Sequence, residues 1–221
     1  MSWVETPDGR IRVGKILGLV RNYRAHAREG GTEPPPEPVY FLKPATALLH
    51  EEGRVVTPLG AGVLEAEAEL AFVMGATTKS VPASEAEGSI LGYCAFLDIT
   101  ARELQRVAMA EGLPWTLAKG MDGFAPISKL RPREDVGDPH DLEICLEVNG
   151  ELRQRGSTAE MVHRIPGIVA AISTRITLER GDVIATGTPA NVPRVRPGDR
   201  LDLRVSGVGR LRVTVEGSDA P

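Results

Sequence analysis

A series of strand-like apolar runs, with few helices between them, narrows the fold of this chain more than any other feature. The runs lie at residues 39–42, 67–75, 90–99, 142–148, 151–154, 182–186, 200–205 and 210–215, and residues 11–21 predict a hairpin or a bent strand. Because strands and helices do not alternate, a parallel α/β sheet is disfavoured. We expect an α+β, β-dominated fold, a β-rich roll or sandwich with about ten strands and three or four short helices.

Local turn and capping signals refine this picture. Asn149-Gly150 stands between two strand-like runs and predicts a β-hairpin. Three pairs have the spacing of a capping box and predict helix starts, at Ser84 and Glu87, at Thr100 and Glu103, and at Ser157 and Glu160. The second pair predicts a helix over about residues 101–111. Gly30-Gly31 and the four prolines that follow within residues 34–38 predict a surface loop with a glycine hinge.

Length and charge exclude several classes of protein. The 221 residues predict one large domain, or one domain with a small N-terminal addition. With 42% hydrophobic and 25% charged residues, the chain is neither disordered nor a coiled coil. Its longest apolar runs fall far below the roughly 18 residues of a membrane-spanning helix. The net charge of −4 and the scattered arginines argue against a nucleic-acid or membrane partner.

The two cysteines indicate a reducing environment. Cys94 and Cys145 stand in apolar strand-like runs and are expected to be buried. Two thiols are too few for a disulfide framework or a thiolate zinc site. No secretory signal pattern is visible, so we expect a cytoplasmic protein.

Acidic residues at alternate positions form the first candidate site. Glu65, Glu67 and Glu69 alternate with alanines, so in a strand all three carboxylates share one face. The strand then enters the apolar run 70–74, where repelling carboxylates are tolerated if a hard cation such as Mg²⁺ neutralises them. Asp98, at the end of another apolar strand, is a candidate third ligand. The alternatives are a solvated strand face for the glutamates and a helix cap for Asp98.

Three weaker signals lie elsewhere. Lys119, one of few lysines, can hold a substrate carboxylate or an enolate oxygen beside a metal, or it is a surface lysine. His26 and Glu29, three residues apart, share one helical face and can activate a water, or they form an ordinary surface pair. Gly187-Thr188-Pro189 can present a hydroxyl and N–H groups to an anion, or it is an ordinary turn.

In combination these segments become specific. The order N-Y-x-x-H, F-L-K-P, E-x-E-L, L-D-x-T-A-R-x-x-Q, W-x-x-x-K, V-N-G-E and G-D-V-I-x-T-G-T-P, over about residues 15–215, resembles the fumarylacetoacetate hydrolase family. It is most similar to the short single-domain members, of the acylpyruvate hydrolase, oxaloacetate decarboxylase or tautomerase, and homoprotocatechuate-pathway isomerase/decarboxylase types. The resemblance implies a mixed β-sandwich roll, a homodimer, a short strand or hairpin segment over residues 1–14 and a catalytic unit over residues 15–221.

The resemblance also implies a set of site residues. The metal ligands for Mg²⁺ or Mn²⁺ fall on Glu67, Glu69 and Asp98, the catalytic residues on His26, Glu29 and Lys119, and the substrate-holding positions on Arg21, Gln105 and Thr188. Glu65 falls outside the ligand set. Two departures from the family pattern stand out, Glu103 in place of an aspartate and Asn191 with Pro193 in place of glycines after T-G-T-P.

The implied chemistry is enolate formation from a small 2-oxo acid. Three outcomes share it: keto–enol tautomerisation, decarboxylation of the oxaloacetate type, and hydrolytic C–C cleavage of an acylpyruvate, which needs a water activated by His26 and Glu29. The alternative within the family is the isomerase of 2-hydroxyhepta-2,4-diene-1,7-dioate and decarboxylase of 5-carboxymethyl-2-oxo-hex-3-ene-1,7-dioate in aromatic catabolism. Outside enzymes, a non-catalytic acid-binding protein and a metal-free structural β-roll remain open.

Overall fold

The computed structural model of the protein describes residues 2–218. Within this range the strands are β1 (Trp3–Thr6), β2 (Gly9–Arg12), β3 (Lys15–Leu19), β4 (Tyr40–Pro44), β5 (Leu48–His50), β6 (Arg54–Thr57), β7 (Leu64–Met74), β8 (Ile90–Ala101), β9 (Ala125–Ile127), β10 (Arg131–Pro132), β11 (Glu143–Val148), β12 (Glu151–Ser157), β13 (Val183–Ala185), β14 (Arg194–Val195), β15 (Arg200–Val205) and β16 (Gly209–Gly217). The α-helices are α1 (Arg24–Glu29), α2 (Ala83–Ala86), α3 (Arg102–Glu111), α4 (Thr116–Lys119) and α5 (Ile165–Arg175). This confirms the predicted β-dominated α+β fold.

The strands form three sheets. The largest has the order β4-β3-β13-β7-β8-β9-β5, with β10 added to β8 and β14 added to β7. A five-stranded sheet has the order β12-β11-β15-β16-β6, and β1 with β2 forms a separate hairpin. Among the described residues the pairs β3–β13, β5–β9 and β6–β16 are parallel and the other pairs are antiparallel.

The central strands β7 and β8 are buried on both faces. Even-numbered residues of β7, such as Leu70, belong to a large core that includes Leu203 of the five-stranded sheet and Ile168 of α5. On the opposite face, Val73 belongs to a second cluster with Val4 of the N-terminal hairpin. Because side chains alternate along a strand, the three glutamates of β7 lie on this second face, where apolar packing gives way to charge.

Two of the three capping predictions are wrong. The helix predicted over 101–111 is present as α3, but its N-cap is Ala101, and the Thr100 hydroxyl donates to the Asp98 carbonyl instead. Ser84 lies inside α2, whose N-cap is Pro82. The box of Ser157 and its partner three residues on is confirmed, although it begins a 3₁₀ turn and not an α-helix.

The remaining differences concern short or peripheral strands. The predicted hairpin is confirmed: β11 pairs with β12, and Asn149-Gly150 lies at the turn between them. Residues 11–21 contain no hairpin, because β2 pairs with β1 whereas β3 pairs with β4 and β13. Some strands of two or three residues, namely β5, β9 and β10, carry too little pattern to be predicted. Cys94 is buried as expected, but Cys145 is only half-buried.

No helix within residues 2–218 is long and apolar enough to cross a membrane. The predicted segments 1–14 and 15–221 include Met1 and residues 219–221, which lie outside the described residues.

Candidate active site

Three carboxylates meet on one face of β7 and β8, where these two strands pair. Glu67 lies directly opposite Asp98, and Glu69 follows two residues along the same face of β7. One carboxylate oxygen from each residue lies within 4.8 Å of the other two, and all three side chains are buried. The structure therefore brings the three predicted ligands together.

Two cationic side chains contact Glu67, one at each carboxylate oxygen. Lys119 Nζ donates to Glu67 Oε2 at 3.0 Å and to Asp98 Oδ2 at 2.5 Å. Arg102, the first residue of α3, donates to Glu67 Oε1 at 2.5 Å and to Glu65 Oε2 at 2.6 Å. Glu65 is therefore paired with an arginine outside the carboxylate cluster.

A second buried lysine lies behind Asp98. Lys43 Nζ donates to the carbonyl oxygens of Ile99 at 3.1 Å, Lys119 at 2.5 Å and Phe124 at 2.8 Å. An ammonium has three hydrogens, so these carbonyl groups use all of them. Asp98 Oδ1 lies 2.6 Å from Lys43 Nζ, yet this buried oxygen accepts no hydrogen bond from any residue in the range 2–218.

The charge of the cluster and its open oxygen fit a hard divalent cation. Glu69 accepts a hydrogen bond from the Gly187 N–H at 2.7 Å and has no ion-pair partner among residues 2–218. Arg102 also pairs with Glu65, so its charge is shared with a carboxylate outside the cluster. The three carboxylates of the cluster are therefore faced by only two full positive charges, those of Lys43 and Lys119, among residues 2–218. Oxygen ligands with excess negative charge are the donor set that Mg²⁺ and Mn²⁺ prefer. Glu67, Glu69 and Asp98 therefore fit such an ion.

Burial and neighbouring charge shift the pKa values of the cluster in opposite directions. Burial raises the pKa of Glu69 well above its usual value, and the carboxylates of Asp98 and Glu67 raise it further. Burial also opposes ionisation of Glu67, but Lys119 and the nearby guanidinium outweigh it and hold this pKa below its usual range. Burial lowers the pKa of Lys43, with Asp98 opposing the shift. For Lys119 the two carboxylates outweigh burial and raise the pKa.

A pocket with a volume of about 570 Å³ opens beside the cluster. Seven of the nine predicted site residues line it: Arg21, His26, Glu29, Glu67, Gln105, Lys119 and Thr188. The other two, Glu69 and Asp98, lie behind this surface and are almost fully buried. Phe41, Trp115 and Met109 add apolar surface to the wall. The volume suits a small organic acid.

The predicted His–Glu pair forms one side of the pocket. His26 Nδ1 lies 3.4 Å from Glu29 Oε2, both on α1. The Glu29 carboxylate also accepts the backbone N–H of Asn191, at 3.0 and 3.2 Å from its two oxygens. Asn191 has a φ of 65°, a left-handed conformation that Asn adopts more readily than most residues. Asn191 stands where the family pattern has glycine, and it adopts a left-handed backbone conformation that glycine also adopts.

The predicted substrate-holding residues approach the pocket from three elements. Arg21 precedes α1 and has a φ of 54°. Gln105 on α3 accepts a hydrogen bond from the Arg102 guanidinium. Thr188 follows β13, and its hydroxyl donates to the Ala68 carbonyl at 2.9 Å.

Sequence reasoning did not single out three polar residues of this region. Lys43 and Arg102 both lie inside the motifs F-L-K-P and T-A-R, and a lysine within an apolar strand is itself a signal, because a buried charge needs partners. Gln154 of β12 is also buried against Thr188. No local pattern distinguishes it from a solvated residue of a hairpin.

The fold and the site define a member of the fumarylacetoacetate hydrolase family. The chain belongs to this family, because the family model described as fumarylacetoacetate (FAA) hydrolase C-terminal matches residues 15–216. The resemblance drawn from the motifs is thereby confirmed.

Individual relatives carry several activities in their names. The chain is 46% identical over 202 residues to the mitochondrial oxaloacetate tautomerase FAHD1 of Arabidopsis thaliana, covering 91% of each chain. A crystal structure of fumarylpyruvate hydrolase from Pseudomonas aeruginosa, in complex with Mn²⁺ and pyruvate, matches with a TM-score of 0.93, 34% identity and 98% and 96% coverage of the two chains. The 5-carboxymethyl-2-hydroxymuconate delta-isomerase of Mycobacterium smegmatis matches with a TM-score of 0.86, 39% identity and 96% and 82% coverage.

Proposed function

We propose that this protein is a divalent-metal-dependent enzyme of small 2-oxo acids, and that it catalyses keto–enol tautomerisation of oxaloacetate or a close 2-oxo diacid. The observation that carries the proposal is the buried cluster of Glu67, Glu69 and Asp98 beside Lys119, reached from the pocket of about 570 Å³. Oxaloacetate tautomerases that are 43–46% identical support the reaction. The P. aeruginosa structure with Mn²⁺ and pyruvate, itself a 2-oxo acid, supports the metal and the substrate class.

The site residues have different roles in enolisation. Glu67, Glu69 and Asp98 would hold Mg²⁺ or Mn²⁺, which when bound supplies Lewis-acid stabilisation of negative charge on substrate oxygens. During enolisation a proton leaves C3 and the electron pair of that C–H bond moves toward the 2-oxo oxygen. The Lys119 ammonium adds positive charge at this edge of the pocket. His26 lines the same pocket, and an imidazole can take up a proton and return one.

Substrate orientation falls to the residues around the pocket mouth. The Arg21 guanidinium can bind a carboxylate through two parallel hydrogen bonds. Gln105 is oriented by Arg102 and lines the wall next to it. Thr188 also lines the pocket. A 2-oxo diacid presents a carboxylate at each end, so one end can lie near Lys119 beside the buried cluster while the other binds Arg21.

Hydrolytic cleavage of an acylpyruvate is the second candidate, and the His26–Glu29 contact of 3.4 Å favours it. In this reaction a water oxygen bonds to the acyl carbon and its proton passes to His26. The C–C bond breaks, and its electron pair stays on the pyruvate fragment as the enolate. Glu29, held by the Asn191 N–H, orients the imidazole toward the water.

A kinetic panel tests the proposal. The protein is stripped with EDTA, reloaded with Mg²⁺ or Mn²⁺, and assayed by ultraviolet absorbance for ketonisation of enol-oxaloacetate. Oxaloacetate decarboxylation, acylpyruvate hydrolysis and isomerisation of a hydroxymuconate-type diacid are measured in parallel. We expect metal-dependent tautomerisation that Glu67→Gln abolishes and the matched Glu65→Gln on the same strand largely keeps. Absence of metal-dependent acceleration with every acid would refute the proposal, and acceleration of the diacid isomerisation alone would replace the tautomerase by an isomerase.

The proposal assigns the catalytic unit to residues 15–221 and regards residues 1–14 as an appended strand segment. It also includes a cytoplasmic homodimer, expected from the family resemblance and the cysteine content. Sedimentation at micromolar protein concentration tests the dimer, and a monomer mass would remove it.

A further inference from the structure

The edge of β7 that faces β13 and β14 has a gap in its hydrogen-bond ladder at Ala68. β13 pairs with residues 71–73 of β7 and β14 with residues 64–65, and between them the chain leaves the sheet to line the pocket. The N–H and C=O groups of Ala68 are buried, so they need other partners. Two side chains supply them: Gln154 Oε1 accepts the N–H at 3.1 Å, and Thr188 Oγ1 donates to the C=O at 2.9 Å.

Gln154 also holds the pocket segment itself. Its Nε2 donates to Thr188 Oγ1 at 2.8 Å and to the Pro189 carbonyl at 2.8 Å. This side chain is only 1% exposed and comes from β12, the edge strand of the other sheet. One glutamine therefore joins three parts of the structure: β12, the strand that carries two of the candidate ligands, and the segment after β13.

A second feature of β12 fits the same segment. Gly156 follows Gln154 by two residues on the same face of the strand. A Cβ atom on Gly156 would lie 2.4 Å from the Cβ of Pro189, closer than real Cβ atoms approach. The bare backbone at this position is therefore what lets the Pro189 ring pack against β12.

We infer that Gln154 is a positioning residue for the pocket, acting through Thr188 and through Ala68, which lies between Glu67 and Glu69. Because the Gln154 amide donates to Thr188 Oγ1, the hydroxyl hydrogen of Thr188 is directed to the Ala68 carbonyl. Thr188 therefore has no hydroxyl hydrogen left for a substrate carboxylate. The consequence for substrate binding rests on the proposed function, whereas the consequence for the structure of the site does not.

The test compares Gln154→Met, which keeps length and volume but removes all three hydrogen bonds, with the matched control Thr158→Val. Thr158 is equally buried and lies just after β12, and its hydroxyl oxygen accepts the Leu142 N–H at 2.9 Å, away from the pocket. The control therefore loses a buried hydrogen bond in the same region without touching Thr188.

Three readouts separate positioning from general loss of stability. The first is the chemical shift of the Thr188 methyl group in protein labelled with ¹³C-methyl threonine, and the second is Mn²⁺ affinity, measured as free Mn²⁺ by electron paramagnetic resonance. The third is the division of kinetic effects between KM and kcat. We expect Gln154→Met to move the Thr188 signal, to weaken Mn²⁺ binding by on the order of tenfold, and to raise KM more than it lowers kcat. Thr158→Val should stay within about twofold of wild type in Mn²⁺ affinity and KM.

Gly156→Ala provides an independent perturbation, because it displaces Pro189 while Gln154 remains, and it decides the question if Gln154→Met fails to fold. A moved Thr188 signal with a raised KM in this variant supports the inference. The inference is overturned if folded Gln154→Met shows the Mn²⁺ affinity and the Thr188 signal of the wild type. If only Gly156→Ala folds, the same result in that variant overturns it. If the wild-type protein turns over none of the 2-oxo acids, the proposed function fails, and the methyl signal and Mn²⁺ affinity still decide the role of Gln154.

Discussion

Replacement of Lys43 by methionine should destabilise this protein far more than replacement of any surface lysine. The Lys43 ammonium donates to three main-chain carbonyls and contacts Asp98 Oδ1 at 2.6 Å, and the side chain is 1% exposed. Methionine matches its length and apolar stem but offers no hydrogen-bond donor. The carbonyl groups of Ile99 and Lys119 would lose this donor, and the Phe124 carbonyl would keep only the Ile99 N–H among residues 2–218. The Asp98 carboxylate would keep only Lys119 from the same range.

The expected magnitude follows from these contacts. Removal of one partner from a buried ion pair costs about 3–5 kcal/mol when the other charge stays buried without compensation, and less for this pair alone, because Lys119 still contacts Asp98. Each orphaned carbonyl acts in the same direction with about 1–3 kcal/mol, but contributions within one cluster do not add. We therefore expect a loss of about 3–5 kcal/mol, which for a chain of this size lowers the melting temperature by about 6–20 °C.

The assay is urea unfolding at pH 7 in EDTA, so that metal binding does not contribute. Lys129→Met is the matched control, since Lys129 is an exposed lysine that pairs with Glu5 at 3.4 Å and should cost at most about 1 kcal/mol. Combining Lys43→Met with Asp98→Asn should recover part of the loss, because the cluster then has one carboxylate fewer for the remaining lysine to neutralise. A loss below about 1 kcal/mol in Lys43→Met, or no recovery in the double variant, would refute this account of the cluster.

Three further predictions address metal, catalysis and pH. Glu69→Ala should abolish both metal-dependent activity and the rise in melting temperature that Mg²⁺ produces in the wild type; an unchanged Mg²⁺-induced rise would show that Glu69 is not a ligand. His26→Ala should lower acylpyruvate hydrolysis by about 10²–10⁴-fold at saturating Mg²⁺ and affect oxaloacetate decarboxylation less; equal losses in both reactions would mean that the residue acts by general positioning. Burial, helped by Arg164, lowers the pKa of His140 below its usual 6.5, and its Nε2 accepts the Ile165 N–H at 3.1 Å. Because the unfolded chain then binds a proton at His140 more readily than the folded chain, the contribution of the neutral imidazole to stability is complete above about pH 6.5 and is lost as the pH falls. Between pH 7.5 and pH 5, His140→Gln should therefore lose less stability in urea unfolding than the wild type. An identical loss in the two proteins would contradict the assignment.

The carboxylate cluster shows what the sequence can and cannot predict. Period-two alternation placed Glu67 and Glu69 on one face, and this needed no tertiary information. That Asp98 lies opposite Glu67 depends on the register of β7 against β8, which shifts at an irregularity next to Met74. A slip of one residue would reverse the faces. Asp98 could therefore be proposed from its place at a strand end and from the motifs, but its position opposite Glu67 could not be derived from spacing.

Tertiary contacts also explain the failures. Thr100 has the right spacing for a helix cap, but β8 continues through it to Ala101, and its hydroxyl bonds the Asp98 carbonyl. Gln154 looks like a solvated hairpin residue, and its role depends on a gap in a strand about 86 residues earlier in the chain. Neither the continuation of a strand nor a gap in a distant ladder leaves a local pattern.

The pocket combines two kinds of backbone. Its charged floor belongs to β7 and β8, which are paired to each other along their whole length and covered on both faces. Much of its wall belongs to residues 21–32 and 188–194, which connect strands and cross the surface. Such a division makes the protein modular for engineering. A mutant library confined to these two segments, with His26 and Glu29 kept, should alter the size and charge of the pocket, while the carboxylates of β7 and β8 stay in place from one variant to the next.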